Sequence, residues 1–362
     1  MSQVKVGPDL YFKNIQAMRA LAALLVLCFH VYAVEGKYLG DHAIPQALGM
    51  FGTCGVDLFF VISGFVMAST AQSQLGSAEC AVDFLKRRAL RIYPIYWFYS
   101  FIVLVVMLVM PQWVNASAGH HADILSSFLL LPSTSLPLLM QGWTLTFEMF
   151  FYVVFAGIVA CGTARSFSRM LTAWALATCG AAYWATHASV SNPVVNVVAN
   201  PIVLEFIAGC FCAFLWPAAR KWCGPAIALV GVVALSLSMY VGERVGLDAV
   251  VQWRAIYFGV PALLLVLGVV TIERHFGIAA PKWLCSLGDS SYSLYLSHVL
   301  VISAIGRMFS RFAPTQLPHS LGSLLCVVGA IVFGVFSYRL IEQPLNSRLK
   351  RLFLQPTSRA AA

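Results

Sequence analysis

The chain has 362 residues, of which 60% are hydrophobic, 13% aromatic and only 10% charged; a mean hydropathy of +0.82 excludes a soluble globular domain and marks a polytopic membrane protein. The formal charge of +9 does not point to nucleic acid, because that reading needs a basic face on a soluble module and here the charges lie between long apolar runs. The ten cysteines, among them Cys28, Cys161, Cys210 and Cys212, sit mostly in or beside those runs with no CxxC and no histidine at zinc-like spacing, so they read as small buried hydrophobes and no metal site or disulfide framework is expected.

Hydrophobic patterning predicts an all-α membrane bundle of about ten transmembrane helices. They lie near Ile15–Val34, Gly49–Ser69, Tyr93–Met110, Trp143–Cys161, Met170–Thr186, Asn200–Trp216, Pro225–Val241, Ala255–Ile272, Ser290–Met308 and Leu321–Leu340. The first run carries Arg19 and is followed by the charged stretch Glu35–Asp41 instead of a small-residue cleavage site, so it reads as a retained span. Ile124–Leu131 is too short to span and reads as part of an amphipathic or re-entrant loop. An even number of spans puts both termini on one side. With the N-terminus inside, 18 of the 23 lysines and arginines fall in inside segments, which predicts cytoplasmic termini in a multi-pass protein of the cytoplasmic membrane. The expected division is a tail at 1–14, a membrane domain at 15–341 and a tail at 342–362.

Ionisable residues inside spans are costly and usually face a bundle interior or a wet cavity. In the first helix Arg19 and His30 are eleven residues apart, about 1100° of rotation and about 16 Å of rise, so they share one face. Arg19 falls toward the cytoplasm and His30 in the outer half. Asp57 enters the second helix from the outside end. Arg87, Arg88 and Arg91 fall within about one helical turn just before Tyr93 and could grip a multiply charged phosphate ligand. Glu148 and Glu205 lie near the outer ends of the fourth and sixth helices, level with His30, and His298 lies near mid-depth in the ninth. Each has a plain structural alternative. Arg19 can snorkel to headgroups, the basic run can be a topology signal, Asp57 can cap a helix end, Tyr93 and Tyr292 can be interfacial aromatics, and either histidine can be a packing residue. The outer loop Gln112–Gln141, with His120, His121 and Asp123, is placed to influence the choice of a second substrate, or is a connector.

The order and spacing of seven motifs resemble the acyltransferase 3 family of integral membrane acyltransferases. They are Arg19-x10-His30, GVDLFFVISGF at Gly55–Phe65, Arg88/Arg91 with Ile92–Pro94, WTLTFEMFFY at Trp143–Tyr152, LEFIAG at Leu204–Gly209, SYSLYLSH at Ser291–His298 and IEQPL at Ile341–Leu345. The resemblance implies a ten-helix O-acyltransferase that takes an acyl group, acetyl by default, from cytoplasmic acyl-CoA and places it on a hydroxyl, commonly of a carbohydrate, on the other side. It implies no bound cofactor. His30 matches the family's catalytic histidine, Arg19 its partner arginine, and Arg88 with Arg91 the pair linked to donor binding. Glu148 occupies the acidic position of the fourth-helix motif. Ser63, within the second motif, joins Asp57, Glu205, Tyr292 and His298 as supporting residues. Some members add a soluble esterase-type domain after the last helix; none follows here, so the transfer is expected to finish within the membrane part.

The residues fit that chemistry. An imidazole with a free pKa of about 6.5 suits removal of the acceptor hydroxyl proton as it attacks the thioester. Glu148, or Asp57 or Glu205, would orient the ring. Arg19 would hold the donor arm or the developing negative charge, with Arg87, Arg88, Arg91 and Tyr93 at the donor. The alternative reading is an ion-coupled transporter, which also uses intramembrane His, Arg and Glu. No pair of matching interrupted helices favours it. A third reading, a lipid-scaffolding membrane protein, leaves the buried charges unexplained.

Overall fold

The computed structural model describes residues 11–71, 74–114, 122–312 and 317–354, so that His120 and His121 lie outside the described residues. No strand occurs among them. In lipid every backbone polar group must be satisfied within its own segment, and apolar runs of this length therefore become helices. In chain order they are α1 (Lys13–Val34), α2 (Gln46–Phe51), α3 (Cys54–Ala71), α4 (Ala78–Val109), α5 (Ile124–Leu129), α6 (Gly142–Cys161), α7 (Phe167–His187) and α8 (Pro193–Val198). There follow α9 (Ile202–Leu215), α10 (Cys223–Val245), α11 (Leu247–Gln252), α12 (Val260–Phe276), α13 (Lys282–Asp289), α14 (Ser291–Phe312), α15 (His319–Ser337) and α16 (Gln343–Phe353). All ten expected spans fall on helices. Among the described residues nine helical stretches are long and apolar enough to cross a membrane; α7, diluted by Arg169, His187 and several Thr, Ala and Gly residues, is helical over 21 residues but is not one of the nine.

Three departures from the expected boundaries matter for the site. First, α4 begins at Ala78, not Tyr93, with Ser77 Oγ capping the Cys80 amide at 3.2 Å. Lys and Arg are good helix formers, so the basic run interrupts the hydropathy without interrupting the helix. At 32 residues α4 is about 48 Å long, well beyond the ~30 Å hydrocarbon core. Second, the loop before α6 folds down against the middle of α4. Tyr93, Tyr96 and Trp97 donate to the carbonyls of Leu129 (3.0 Å), Ser127 (2.7 Å) and Phe128 (2.8 Å) in α5, and Asp123 caps that six-residue helix through the Ser126 amide. As a result α6 starts deep, with the Gly142 backbone against the Tyr96 hydroxyl, about 27 Å along α4. Third, helix continues past residue 341: His319–Phe353 is one helical stretch of 35 residues, and α16 is an amphipathic end of it.

At the centre, α3 crosses α9 at Gly64 and Gly209. A Cβ on either would come within 1.9 or 2.0 Å of the opposing carbonyl of Phe206 or Val61, so only glycine permits this approach. Phe151 stacks on Phe206 at 4.6 Å and ties α6 to α9. α6 runs antiparallel to α4, with Phe155 against Phe84 and Tyr152 near Arg88. Single π-helical turns at Glu35–Leu39, Ala255–Gly259 and Tyr338–Glu342 extend or adjoin α1, α12 and α15; the first and last carry the buried carboxylates Glu35 and Glu342. Such turns are rare and concentrate at functional sites.

Candidate active site

Between α1, α3, α4, α6 and α14 lies a cavity of about 160 Å³. Arg88 and Arg91 face it together because positions three apart share a helix side. Arg19 faces it from α1, one turn from Gln16, whose Oε1 accepts from its Nη1 at 3.0 Å. Arg91 is exposed, whereas Arg88 and Arg19 are half-buried. Among the described residues none of the three has a carboxylate within 4.0 Å. Three guanidinium groups without an ion pair, gathered on one cavity, are an arrangement whose desolvation and repulsion a multiply charged anion relieves.

Beside the arginines the lining is acidic and phenolic. Glu148 Oε1 accepts from Ser63 Oγ at 3.3 Å and from the Tyr152 hydroxyl, and the Arg88 guanidinium lies over the rings of Tyr152 and Phe84 at 5.7 and 5.6 Å. Tyr292 lines the cavity and donates to the Ile92 carbonyl at 2.9 Å. Glu148 therefore sits with the arginines and not beside His30. Counting down from the outer end of α6 misplaces it, because the folded-in loop starts that helix deep.

Phe59, Thr144 and Tyr295 line the floor at the far end of the cavity. The Thr144 hydroxyl donates to the Gln141 carbonyl at 2.9 Å, so the 2.8 Å bond between Thr144 and Tyr295 has the tyrosine as donor; Phe59 packs on the Tyr295 ring at 5.9 Å. Immediately beyond, the rings of Tyr295 and His298 are 5.8 Å apart, and those of His298 and His30 are 5.0 Å apart. His298 Nδ1 is 3.2 Å from the Leu294 carbonyl, which can only accept. The proton is thereby placed on Nδ1, and Nε2 is buried without a partner among the described residues. His30 is thus one half of a histidine pair on the other side of a hydrogen-bonded floor from the arginines.

The remaining sequence candidates go elsewhere. Arg87 is exposed and paired with Asp83 at 2.8 Å, one step round α4 from the cavity face, and Tyr93 is occupied with α5. Asp57 is fully buried and accepts both arms of Arg254, Nε at 2.9 Å and Nη2 at 2.8 Å. Glu205 lies against the same pair, its Cγ facing Gly259, with no donor to either oxygen among the described residues. Neither acid lines the cavity. Removing one partner of a buried ion pair is costly, so Asp57→Asn is expected to cost about 3 kcal/mol, the low end of the usual range since Glu205 can turn to the guanidinium. The melting temperature of detergent-solubilised protein checks this; an unchanged melting temperature with lost turnover would return Asp57 to the chemistry.

One buried carboxylate escaped sequence reasoning. Glu342 is buried in the π-helical turn after α15, accepts from Ser293 Oγ at 2.6 Å, and with Asp289 and Glu148 contributes to the electrostatic surroundings of Arg19. The available signal was an acid at the end of an apolar run in IEQPL, which reads equally well as the start of a tail.

The chain is similar to several known proteins. The chain is 30% identical over 328 residues to the exopolysaccharide production protein ExoZ of Rhizobium meliloti (strain 1021), covering 86% of this chain and 95% of that protein. It is 24% identical over 373 residues to the O-acetyltransferase OatA of Staphylococcus aureus (strain NCTC 8325 / PS 47), covering 93% of this chain but only 58% of OatA. It is also 24% identical over 365 residues to Nodulation protein 10 of Rhizobium leguminosarum bv. viciae, covering 91% and 92%. No solved structure matches. The family model described as an acyltransferase domain, acyltransferase 3, matches residues 12–339, a span that takes in the arginine-lined cavity and both histidines, and the chain belongs to that family.

Proposed function

We propose that this protein transfers an acyl group, acetyl by default, from cytoplasmic acyl-CoA to a hydroxyl of a carbohydrate or glycoconjugate on the other side of the membrane. The observation that carries this reading is the convergence of three guanidinium groups without carboxylate partners on one cavity. A CoA nucleotide is a polyanion with a long, thin and mostly uncharged arm. Its phosphates would sit at Arg91 and Arg88, with Arg19 deeper along the path, and the arm would run toward Tyr295. Glu148, through Tyr152, holds the aromatic surface on which Arg88 lies. The site needs no resident cofactor: the thioester is the activated species.

At the far end, His30 removes the acceptor hydroxyl proton as that oxygen attacks the thioester carbon. The carbon–oxygen bond forms, the carbon–sulfur bond breaks, and the proton passes from His30 to the departing thiolate. His298 supports this step by packing against His30, its own Nε2 without a partner among the described residues. The carbohydrate acceptor rests on the relatives, one named for exopolysaccharide production and one as an O-acetyltransferase. The inward-facing donor site rests on the lysine and arginine distribution.

Incubating purified protein with acetyl-CoA and following free CoA by chromatography tests the reading. Chromatography is required because ten free cysteines would react with a thiol reagent. Release above the protein-free control is expected. No release, with uptake or efflux of a solute by reconstituted vesicles, would favour a transporter.

A further inference from the structure

The transfer reading leaves one chemical requirement unmet. As the acceptor oxygen attacks, negative charge develops on the thioester oxygen, and a preorganised donor beside it is usually a large part of the catalytic effect. Arg19 does not supply it at His30. The two are eleven residues apart on one continuous helix, about 16 Å of rise, with Phe59, Thr144 and Tyr295 lining the floor of the cavity between the arginine and the histidine pair.

A donor is present on the histidine side. Gln141 is the residue just before α6, with 2% of its surface exposed, and neither Nε2 nor Oε1 of its side chain has a hydrogen-bond partner among the described residues. An amide buried in a membrane bundle with both ends unsatisfied is expensive and calls for an explanation. Its level follows from two hydrogen bonds. Thr144 is joined to the Gln141 carbonyl one turn back along α6, and to Tyr295, from which His298 lies one turn on along α14. The two helices run in opposite directions: α6 ends near Gly76, which bonds to the Val159 carbonyl, while α14 starts at the level of Ile92 and runs away from it. One turn back on α6 and one turn on along α14 therefore lead the same way, about 4.5 Å past the floor. Gln141 thus shares the level of His298, whose Nε2 is likewise unpartnered, and of His30 beside it.

We propose that Gln141 is a further catalytic residue, whose side-chain nitrogen donates a hydrogen bond to the thioester carbonyl oxygen of the acyl donor as that oxygen becomes an oxyanion. The role rests on the transfer reading above. In the step, the His30 ring nitrogen takes the hydroxyl proton, the acceptor oxygen bonds to the carbonyl carbon, and the carbonyl electron pair moves to the oxygen held by Gln141. Collapse restores the carbonyl, expels the thiolate, and returns the proton from His30 to sulfur.

An unsatisfied amide makes an unusual prediction, because it contributes nothing to the resting fold. Gln141→Met keeps the volume and removes the unsatisfied polar atoms, so the purified variant is expected to melt at or above the wild-type temperature. Its kcat for acetyl transfer should fall about 10²–10³-fold, the usual loss of one oxyanion donor, with KM for acetyl-CoA unchanged because the nucleotide is held at Arg88 and Arg91. Gln141→Glu, equal in length but without the NH2 group, should lose at least as much kcat. Wild-type kcat in Gln141→Met overturns the role. So does a lowered melting temperature with a loss of turnover that only tracks lost folded protein. Wild-type protein that releases no CoA overturns the transfer reading itself, and this role with it; an active wild type beside an unimpaired variant overturns the role alone.

Discussion

Replacing His30 with alanine is expected to lower acyl transfer by about 10²–10⁴-fold at unchanged membrane expression, the usual contribution of a positioned general base. The variant leaves the arginine-lined cavity untouched, since His30 is not part of its wall, so KM for acetyl-CoA should stay at the wild-type value. His298 sharpens the test. Its ring lies 5.0 Å from His30 with Nε2 bare, close enough to act with it as a unit. Residues that act as a unit lose their effects non-additively, so the double replacement of His30 and His298 should be little worse than the loss of His30 alone. Transfer measured on folded, quantified protein decides the matter. Substantial activity in the His30→Ala protein would remove the histidine from the base role.

The joint replacement of Arg88 and Arg91 by alanine should raise KM for acetyl-CoA far more than it lowers kcat. Charge-assisted hydrogen bonds are worth about 1.5–3 kcal/mol each, and about 1.4 kcal/mol is tenfold in affinity, so roughly 10–100-fold per arginine is expected. Arg87 provides the internal control. It belongs to the same basic run, yet it is exposed, paired with Asp83 and turned from the cavity. An exposed pair of that kind contributes about 0.2–1 kcal/mol, so Arg87→Ala should leave KM for the donor nearly unchanged. Arg88→Lys separates charge from shape: it keeps the positive charge but loses the planar fork that matches phosphate oxygens and lies over Tyr152. An unchanged KM in the double alanine protein would reduce the pair to a topology signal.

The contrast between Arg87 and Arg88 shows how far sequence reading reaches. The basic run was visible as a phosphate-binding candidate, and helical spacing already paired Arg88 with Arg91. Which face of α4 looked inward was not visible, because that depends on α6 and α14 packing against it. The same holds for the acids. Glu148 and Glu205 read as buried carboxylates in need of partners and Asp57 as a possible helix cap; Tyr152, one turn from Glu148, was a local clue, but the pairing of Asp57 with Arg254 and the approach of Ser63 to Glu148 are not local. Their partners are 85 to 197 residues away for the first contacts named.

What the amino-acid sequence determined by itself was the helical membrane architecture, the family, and the shared face of Arg19 and His30. These follow from hydropathy, motif order and the 3.6-residue turn, all of which are local. Only the tertiary structure decided depth and company. Because α5 is bonded to the middle of α4, α6 begins deep, and Glu148 drops to the arginines while Gln141 and His298 come level with His30. Arg19 and His30 thereby fall on opposite sides of a floor built by Thr144 and Tyr295, residues 151 positions apart. Depth along a helix cannot be counted from an assumed membrane surface when the helix begins partway along its neighbour.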